Sequence, residues 1–192
     1  MAVFPSDHFI LEGDAFMRHI GKVATFVRTH PERMVLIGAR ADAAETEYGW
    51  IEPGEPLGLA GADPILRVTK FWEKPSKVQA KACLEARCLW NTFVLVAKLS
   101  TLIHAGRKVL PDLSERMVSA ARHSAAGTVC AVEREYGFAQ RADFSQTVLQ
   151  GCPELLAVSP LPSVTWSDWG TPRMVLRALQ MIAPMALGAA GS

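Results

Sequence analysis

Four short blocks of this sequence carry side chains of the kinds that bind metal ions, phosphates and hydroxyl groups. Each block places polar groups at the end of an apolar, strand-like run. In open α/β sheets, ligands bind beyond the ends of such strands, so these blocks are candidates for a binding site. They are Pro5-Ser6-Asp7-His8, residues 45–51 with Tyr48-Gly49, Phe71-Trp72-Glu73-Lys74-Pro75 followed by Trp90-Asn91, and Trp166-Ser167-Asp168-Trp169-Gly170.

Taken singly, each block also has an ordinary structural interpretation. Asp7 after a proline and Asp168 before Trp-Gly are both typical of turns, which are the commoner use of aspartate. Glu73-Lys74-Pro75 fits a solvated strand exit. Asn91 fits a side chain that satisfies a nearby backbone group, and Tyr48-Gly49 fits a bulge or turn.

Common catalytic motifs are missing from the sequence. It contains no P-loop, no GxGxxG, no HExxH and no GxSxG. His8 is interpreted as a packing or hydrogen-bonding residue, because that use is commoner than a functional one. No Ser/His or Cys/His pair therefore stands out as a nucleophile and its base.

Composition narrows the class of protein further. The chain has 192 residues, of which 49% are apolar and 20% charged, and its net charge is +1. These values indicate one globular domain without a nucleic-acid surface. Residues 174–191 are apolar but too broken to span a membrane, and the N-terminus lacks a signal-peptide pattern. Four cysteines without metal-site spacing favour reduced, mostly buried thiols in a cytoplasmic protein.

The hydrophobic pattern alternates between helix and strand and predicts an α/β fold. A helix is expected after Asp14 as its N-cap, another after a capping box of Ser76 and Gln79, and a last one after Thr171. Residues 53–64 hold three Pro and three Gly and are predicted to form a loop or a hairpin connection. Residues 136–138 are predicted to be core and turn. Strands are expected at 34–39, 48–51, 65–72, 90–97 and 155–158, and further helices near 98–105, 111–124 and 143–150.

Read together and in order, the blocks resemble the sugar-phosphate nucleotidyltransferases, most closely the mannose-1-phosphate guanylyltransferases. The family pattern is PSDH, an ETGYGYI-like segment, F-x-EKP, WN and WSD-x-G, and the resemblance covers about residues 3–180. It implies the C-terminal portion of a Rossmann-like nucleotidyltransferase domain, with a mixed, mostly parallel sheet flanked by helices. That domain would span residues 1–182, followed by a flexible tail at 183–192.

The resemblance also implies roles for individual residues. Asp7 and Asp168 would be the catalytic pair that holds Mg²⁺, an ion suited to carboxylates, water and phosphate oxygens. Tyr48, Gly49, Glu73 and Asn91 would line the sugar pocket, and Lys74 would lie near the phosphate. The implied reaction joins a sugar-1-phosphate to a nucleoside triphosphate and releases pyrophosphate, with mannose-1-phosphate, GTP and GDP-mannose as the family expectation.

Three departures from the family pattern qualify this interpretation. The family's Gly-rich, Arg-containing nucleotide loop precedes PSDH, which begins here at residue 5, so that loop has no counterpart. The chain alone is therefore expected to show little transferase activity, and to pair with another copy or a complementing N-terminal chain. Glu47 replaces a glycine, and Ser145 stands where an aspartate would align, which leaves the sugar open. The alternative is a non-catalytic sugar-phosphate-binding or regulatory module that pairs with a full-length chain.

Overall fold

The computed structural model describes residues 1–176 and 178–180, and it has the predicted α/β architecture. The strands are β1 (Ala2–Val3), β2 (His8–Ile10), β3 (Met34–Arg40), β4 (Trp50–Ala60), β5 (Asp63–Trp72), β6 (Leu89–Ala97), β7 (Leu156–Pro160) and β8 (Trp166–Asp168). The helices are α1 (Gly13–Thr29), α2 (Lys77–Glu85), α3 (Leu99–Val109), α4 (Pro111–Ala125) and α5 (Val129–Gly137). A π-helical turn covers Ser145–Leu149, a 3₁₀ turn covers Pro153–Leu155, and residues 172–176 and 178–180 are helical. The tail predicted at 183–192 lies outside the described residues.

Six strands form one sheet in the order β1-β6-β3-β7-β5-β4, and β2 and β8 form a separate pair. Within the described residues β3 and β7 are parallel, while every other pairing is antiparallel. The sheet is mixed as predicted, but the prediction that it is mostly parallel is wrong. The reason is connectivity: β4 and β5 form a direct hairpin, and β6 runs back along both β3 and β4.

The centre of the sheet is covered on both faces. Alternate residues of β3 face opposite sides, so Met34 and Leu36 join a cluster with α3, whereas Val35 and Ile37 join a cluster with α1. This confirms the buried strand predicted near 34–39. Helix α1 begins at Gly13, so Asp14 lies in its first turn, and the prediction of Asp14 as N-cap is wrong. An acidic side chain there still interacts favourably with the helix dipole.

Residues 53–64, predicted as a loop or a hairpin connection, belong to a β-hairpin, but most of them are strand rather than connection. Strand β4 continues through Pro53 and Pro56, and the pairing register with β5 shifts at both prolines. Proline cannot donate a ladder hydrogen bond, so it is tolerated at bulges of an edge strand such as this part of β4. Gly61 makes the turn with a φ of +67°, a conformation that glycine adopts without steric strain.

Two predicted helix starts are confirmed. The Ser76 hydroxyl accepts from the Gln79 N–H at 3.3 Å, and the Gln79 side chain accepts from the Ser76 N–H at 3.0 Å. This capping box opens α2. The Thr171 hydroxyl accepts from the Met174 N–H at 3.3 Å, as expected for the N-cap of the last helix.

Helix α5 was not predicted, and its region is the least buried part of the fold. Tyr136 and Phe138 were expected in the core, but they are 61% and 68% exposed. Helix α5 buries no residue fully, and its main neighbour is α4. The prediction for Tyr136 and Phe138 rested on their aromatic type alone. Residue type does not show that α5 packs against little of the hydrophobic core.

Three of the four cysteines are buried, as predicted: Cys83, Cys88 and Cys152. Cys130 is exposed. Among residues 1–176 and 178–180, no helix is long and apolar enough to cross a membrane.

A bulge in β6 is held by a buried threonine. Gly38 of β3 pairs with Asn91, but Leu36, two residues away, pairs with Leu95, so β6 contains extra residues. The Thr92 hydroxyl donates to the Ile37 carbonyl at 2.7 Å across this bulge, and Thr92 is fully buried. The side chain thus supplies a donor where the regular ladder is interrupted.

Thr92→Val is expected to lower the free energy of unfolding by about 1–3 kcal/mol, because it removes a buried hydrogen bond while keeping the shape. Urea unfolding followed by circular dichroism measures the change. Thr69→Val is the matched control: its hydroxyl donates to the Glu52 carbonyl at 3.1 Å from an exposed position, and a change within about 0.5 kcal/mol is expected. Equal losses for both variants would contradict the role given to Thr92.

Candidate active site

A cleft of about 400 Å³ brings the four sequence blocks together. It lies where the segment after β1, the end of β5 and the middle of β6 approach the β2–β8 pair. The residues predicted for the site all line it: Asp7, Tyr48, Gly49, Glu73, Lys74, Asn91 and Asp168. Their convergence was the main expectation from the sequence.

The two candidate metal-binding carboxylates face the same imidazole. Asp7 Oδ1 and Asp168 Oδ2 are each 4.0 Å from His8 Nε2. Asp7 is 62% exposed at its side chain, whereas Asp168 is 25% exposed. Asp168 is therefore the less solvated of the two aspartates, and water and salt screen its charge less.

The contact with Trp166 determines which nitrogen of the His8 ring carries the proton. Its indole N–H, which can only donate, lies 3.3 Å from His8 Nδ1. Nδ1 is thus the acceptor, and Nε2 of the neutral ring carries the proton and faces the carboxylates. Burial lowers the pKa of His8, against the charges of Asp168 and Asp7, which raise it. The ring acts as a neutral N–H beside the carboxylates, so the available metal donors here are oxygen atoms.

Short backbone links fix both carboxylates. His8 and Asp168 are register partners in the β2–β8 pair, and the Trp169 N–H donates to the Asp7 carbonyl at 3.0 Å. The Asp168 carboxylate also accepts from the Gly170 N–H, which closes a tight turn after β8. The two aspartates are therefore placed by one local structure although they lie far apart in the sequence.

Three further contacts hold the strand pair and α1 in place. The Glu12 carboxylate accepts from the Thr165 N–H at 2.6 Å, immediately before β8. On α1, the buried His19 is hydrogen bonded to Ser159 of β7 at 3.0 Å and to Asp63 at 3.3 Å. The Glu12–Thr165 contact joins the segment that carries Asp7 to the segment that carries Asp168, and the His19 contacts join α1 to β5 and β7.

The opposite side of the cleft is tightly packed around Gly49. Its carbonyl accepts from the Asn91 N–H at 2.7 Å. A Cβ at this position would lie 3.0 Å from Glu73 Oε2, 3.1 Å from Phe71 Cζ and 3.2 Å from Asn91 Cβ. The absence of a side chain lets Glu73 and Asn91 approach this backbone closely.

Gly49→Ala is expected to weaken sugar-phosphate binding by about tenfold or more, because the added methyl displaces Glu73 or Asn91 from its position. Calorimetric titration measures the affinity. Gly13→Ala is the matched control, since a Cβ there meets no atom within 4 Å. Unchanged affinity in the Gly49 variant would exclude close packing at Gly49 as a determinant of the site.

Glu73 is held in an unfavourable electrostatic position. Burial raises its pKa, and the nearby carboxylate of Asp143 raises it further. The Lys74 ammonium and a hydrogen bond with Ser145 act in the opposite direction. A carboxylate kept partly desolvated beside another acid is typical of a functional group rather than a stabilising one.

The cleft as a whole is acidic. Its lining contains the carboxyl groups of Asp7, Glu47, Glu73 and Asp168, and one lysine, Lys74. Glu47, which stands where the family pattern has glycine, adds one of these charges. Such a cleft attracts cations and opposes the entry of unaccompanied anions.

Sequence reasoning missed or underrated three residues of this region. His8 was interpreted as a packing or hydrogen-bonding residue, and its contact with Trp166 agrees with that, but its place in the cleft was not anticipated although it follows Asp7 directly. Ser145 was noted as a departure from the family pattern, but not as a hydrogen-bond partner of Glu73. Phe93 lines the cleft from the β6 bulge, and bulges have no signature in the alternation of a strand.

The donor chemistry of the aspartate pair fits Mg²⁺. Magnesium is commonly held by one or two carboxylates and completes its octahedron with water and substrate phosphate oxygens. Within the described residues, no group of three or more His, Cys, Asp or Glu side chains is arranged to hold a metal by itself. Two carboxylates leave the other positions of a Mg²⁺ octahedron to water and phosphate oxygens.

The chain belongs to the nucleotidyl transferase family, whose sequence model matches residues 1–184. The alginate biosynthesis protein AlgA of Pseudomonas syringae pv. tomato is 33% identical over 114 residues, which are 59% of this chain and 23% of that protein. The mannose-1-phosphate guanylyltransferase 2 of Escherichia coli O157:H7 is 32% identical over 117 residues, covering 59% of this chain and 24% of that protein.

A solved structure supports the same assignment. It is described as mannose-1-phosphate geranyltransferase from Thermus thermophilus, with a TM-score of 0.75 and 26% identity. The match covers 93% of this chain and 49% of that one. The chain thus spans about a quarter of the length of the curated relatives that it matches and about half of this structure. The family to which the chain belongs is therefore one of nucleotidyltransferases.

Proposed function

We propose that this chain supplies the sugar-phosphate and metal-binding side of a nucleotidyltransferase that joins mannose-1-phosphate to GTP and forms GDP-mannose and pyrophosphate. The observation that carries the proposal is the single cleft in which the Asp7–Asp168 pair faces Glu73, Gly49 and Asn91. Relatives named for mannose-1-phosphate guanylyltransfer and for alginate biosynthesis support both this substrate and a role in making nucleotide sugars for polysaccharides.

Each group has a defined task in this proposal. The Glu73 carboxylate accepts hydrogen bonds from sugar hydroxyls, and Asn91 and the Gly49 backbone hold the ring against it. Tyr48 forms part of the wall of the cleft, and its ring packs edge-to-face on Trp90 with the ring centroids 5.0 Å apart. Lys74 lies beside the phosphate. Asp7 and Asp168 would hold Mg²⁺, which neutralises phosphate charge when bound.

The chemistry needs no side-chain base. The attacking atom is a phosphate oxygen of the sugar-1-phosphate, which is already an anion at neutral pH. It forms a bond to the α-phosphorus of the triphosphate while the bond to pyrophosphate breaks in line. Positioning and charge stabilisation are therefore the whole contribution of the protein. His8 remains neutral, with its Nε2 4.0 Å from a carboxylate oxygen of each aspartate.

The acid-rich cleft limits what this chain can do by itself. A nucleoside triphosphate carries several negative charges, and the lining described above offers Lys74 against four carboxyl groups. Without further cationic groups, a triphosphate is expected to bind weakly here. The proposal therefore includes a partner surface that supplies such groups, from another copy or from a complementing N-terminal chain.

Two measurements test this proposal. The first is pyrophosphate release in the presence of mannose-1-phosphate, GTP and Mg²⁺. The second compares the binding affinities of mannose-1-phosphate and mannose-6-phosphate. The purified chain is expected to prefer the 1-phosphate and to release little or no pyrophosphate. Normal turnover would contradict the expectation that a triphosphate binds weakly in this acidic cleft. Equal binding of the two regioisomers would contradict the proposed placement of the phosphate. Binding without turnover after addition of a partner carrying the nucleotide loop would favour the non-catalytic module.

A further inference from the structure

The strand pair beside the two candidate metal-binding aspartates is very short. Strands β2 and β8 have three residues each, and they pair with each other outside the main sheet. An isolated two-stranded sheet is only marginally stable in water, so contacts beyond its ladder must hold it. The Asp7 side chain is 62% exposed, and its position therefore depends on the backbone that carries it. Whatever fixes this strand pair also fixes Asp7 relative to Asp168.

Two stacked aromatic rings connect the segments that carry the aspartates. The Phe9 and Trp169 rings have an interplanar angle of 3° and centroids 5.2 Å apart. Phe9 lies in β2, two residues after Asp7, and Trp169 directly follows Asp168. The Trp169 N–H also donates to the Asp7 carbonyl at 3.0 Å. Trp169 thus contacts the Asp7 segment twice, once through its backbone and once through its ring.

The ligand side of the site does not explain this stack. Trp169 is 39% exposed, and it is not one of the described residues that line the 400 Å³ cleft. The family pattern does not specify the two aromatic positions either, since it leaves open the residue after PSDH and the x of WSD-x-G. A stacked pair of rings is favourable beyond the apolar area that it buries. The contact therefore acts on the strand pair itself.

We propose that Trp169 is a positioning residue for Mg²⁺, because its stack on Phe9 keeps the two aspartates in place to share one ion. The inference rests on the proposed function, since it concerns the same aspartate pair. Trp169 acts through the backbone that carries the carboxylates. Without the stack, the β2–β8 pair opens more readily at this end, and Mg²⁺ binding must also supply the free energy that closes it. Binding then requires a higher Mg²⁺ concentration, whereas the sugar side of the cleft is unchanged.

Calorimetric titration of the full chain with mannose-1-phosphate at a series of Mg²⁺ concentrations tests the inference. Trp169→Leu keeps an apolar side chain but removes the stacked ring. It is expected to raise the Mg²⁺ concentration for half-maximal binding by about three- to tenfold, the scale of one aromatic pair. The affinity at saturating Mg²⁺ and the binding stoichiometry are expected to match those of the native chain. A variant that is merely unfolded in part would instead lower the stoichiometry and leave the Mg²⁺ requirement unchanged.

Rescue and coupling separate stacking from a general loss of packing. Trp169→Phe retains an aromatic ring and is expected to restore most of the native Mg²⁺ requirement. Phe9→Leu removes the stack from the other strand. The double variant with leucine at both positions is expected to need no more Mg²⁺ than the weaker single variant, because the two rings form one interaction. Phe138→Leu changes an exposed aromatic outside the cleft lining and is the control with a native requirement.

The outcomes distinguish this inference from the proposed function. If both leucine variants keep the native Mg²⁺ requirement, or if their effects simply add, the role given to the stack is wrong while the proposed function stands. If mannose-1-phosphate binds to the native chain equally well without Mg²⁺, or does not bind at all, the proposed function itself is wrong.

Discussion

Asp168→Asn is expected to weaken Mg²⁺-dependent binding of mannose-1-phosphate by more than about 100-fold. Removing a group that only supports a metal ligand already lowers affinity by about 10–100-fold, so loss of a ligand charge has a larger effect. Asparagine is the informative replacement because its amide oxygen can still accept from the Gly170 N–H, which keeps the turn after β8. Calorimetric titration at several Mg²⁺ concentrations gives the affinity.

Asp7→Asn is expected to act in the same direction but less strongly. The Asp7 side chain is 62% exposed against 25% for Asp168, so solvent screens its charge more. Asp14→Asn is the control, since this exposed carboxylate lies on the first turn of α1, outside the cleft lining. Retention of Mg²⁺-dependent binding in both cleft variants would show that the aspartate pair is not the metal site.

Glu73→Gln is expected to raise the stability of the fold at pH 7 and to weaken binding of the sugar phosphate. The folded-state pKa of Glu73 is raised above its usual value of 4.5. Its contribution to stability is thus largest below pH 4.5 and is lost as pH rises through the folded-state pKa. At pH 7 the ionised group destabilises the fold, so the neutral amide is expected to raise the melting temperature. At pH 4 the two proteins are expected to melt at similar temperatures.

Binding is expected to change in the opposite direction. Glu73→Gln replaces a charged acceptor of sugar hydroxyls by a neutral one, a loss of about 10–100-fold in affinity. Thermal melts across this pH range and titrations with mannose-1-phosphate give both readings. Glu85→Gln serves as control, because its side chain is 68% exposed and pairs with Lys81 on the surface. A Glu73 variant that is less stable at pH 7, or that binds normally, would refute the role given to this carboxyl group.

Local chemistry was the most predictable part of this protein. The capping box at Ser76 and the N-cap at Thr171 depend on neighbours within three residues, and the buried strand at 34–40 depends on residue type alone. The convergence of Asp7 and Asp168 could be anticipated because both belong to blocks in a recognisable order. Their placement in one cleft agrees with that expectation.

The errors concern features set by distant parts of the chain. Strand direction depends on how elements connect in space. The strands of the β4–β5 hairpin extend through Pro53 and Pro56, where the sequence predicts only a loop or a hairpin connection. The left-handed Phe93 arises from the register of β6 against β3, which leaves no trace in the alternation of residues 90–97. The exposure of Phe138 likewise depends on packing. Within the described residues, the main neighbour of α5 is α4, and the two helices leave the ring of Phe138 exposed.

Calorimetric titration of the purified, monodisperse chain with mannose-1-phosphate, with and without Mg²⁺, tests the central claim most directly. The account predicts saturable binding that requires Mg²⁺, because the aspartate pair and the sugar-side residues form one half-site around the phosphate. Binding of equal strength without Mg²⁺, or no binding by a folded sample, would contradict it.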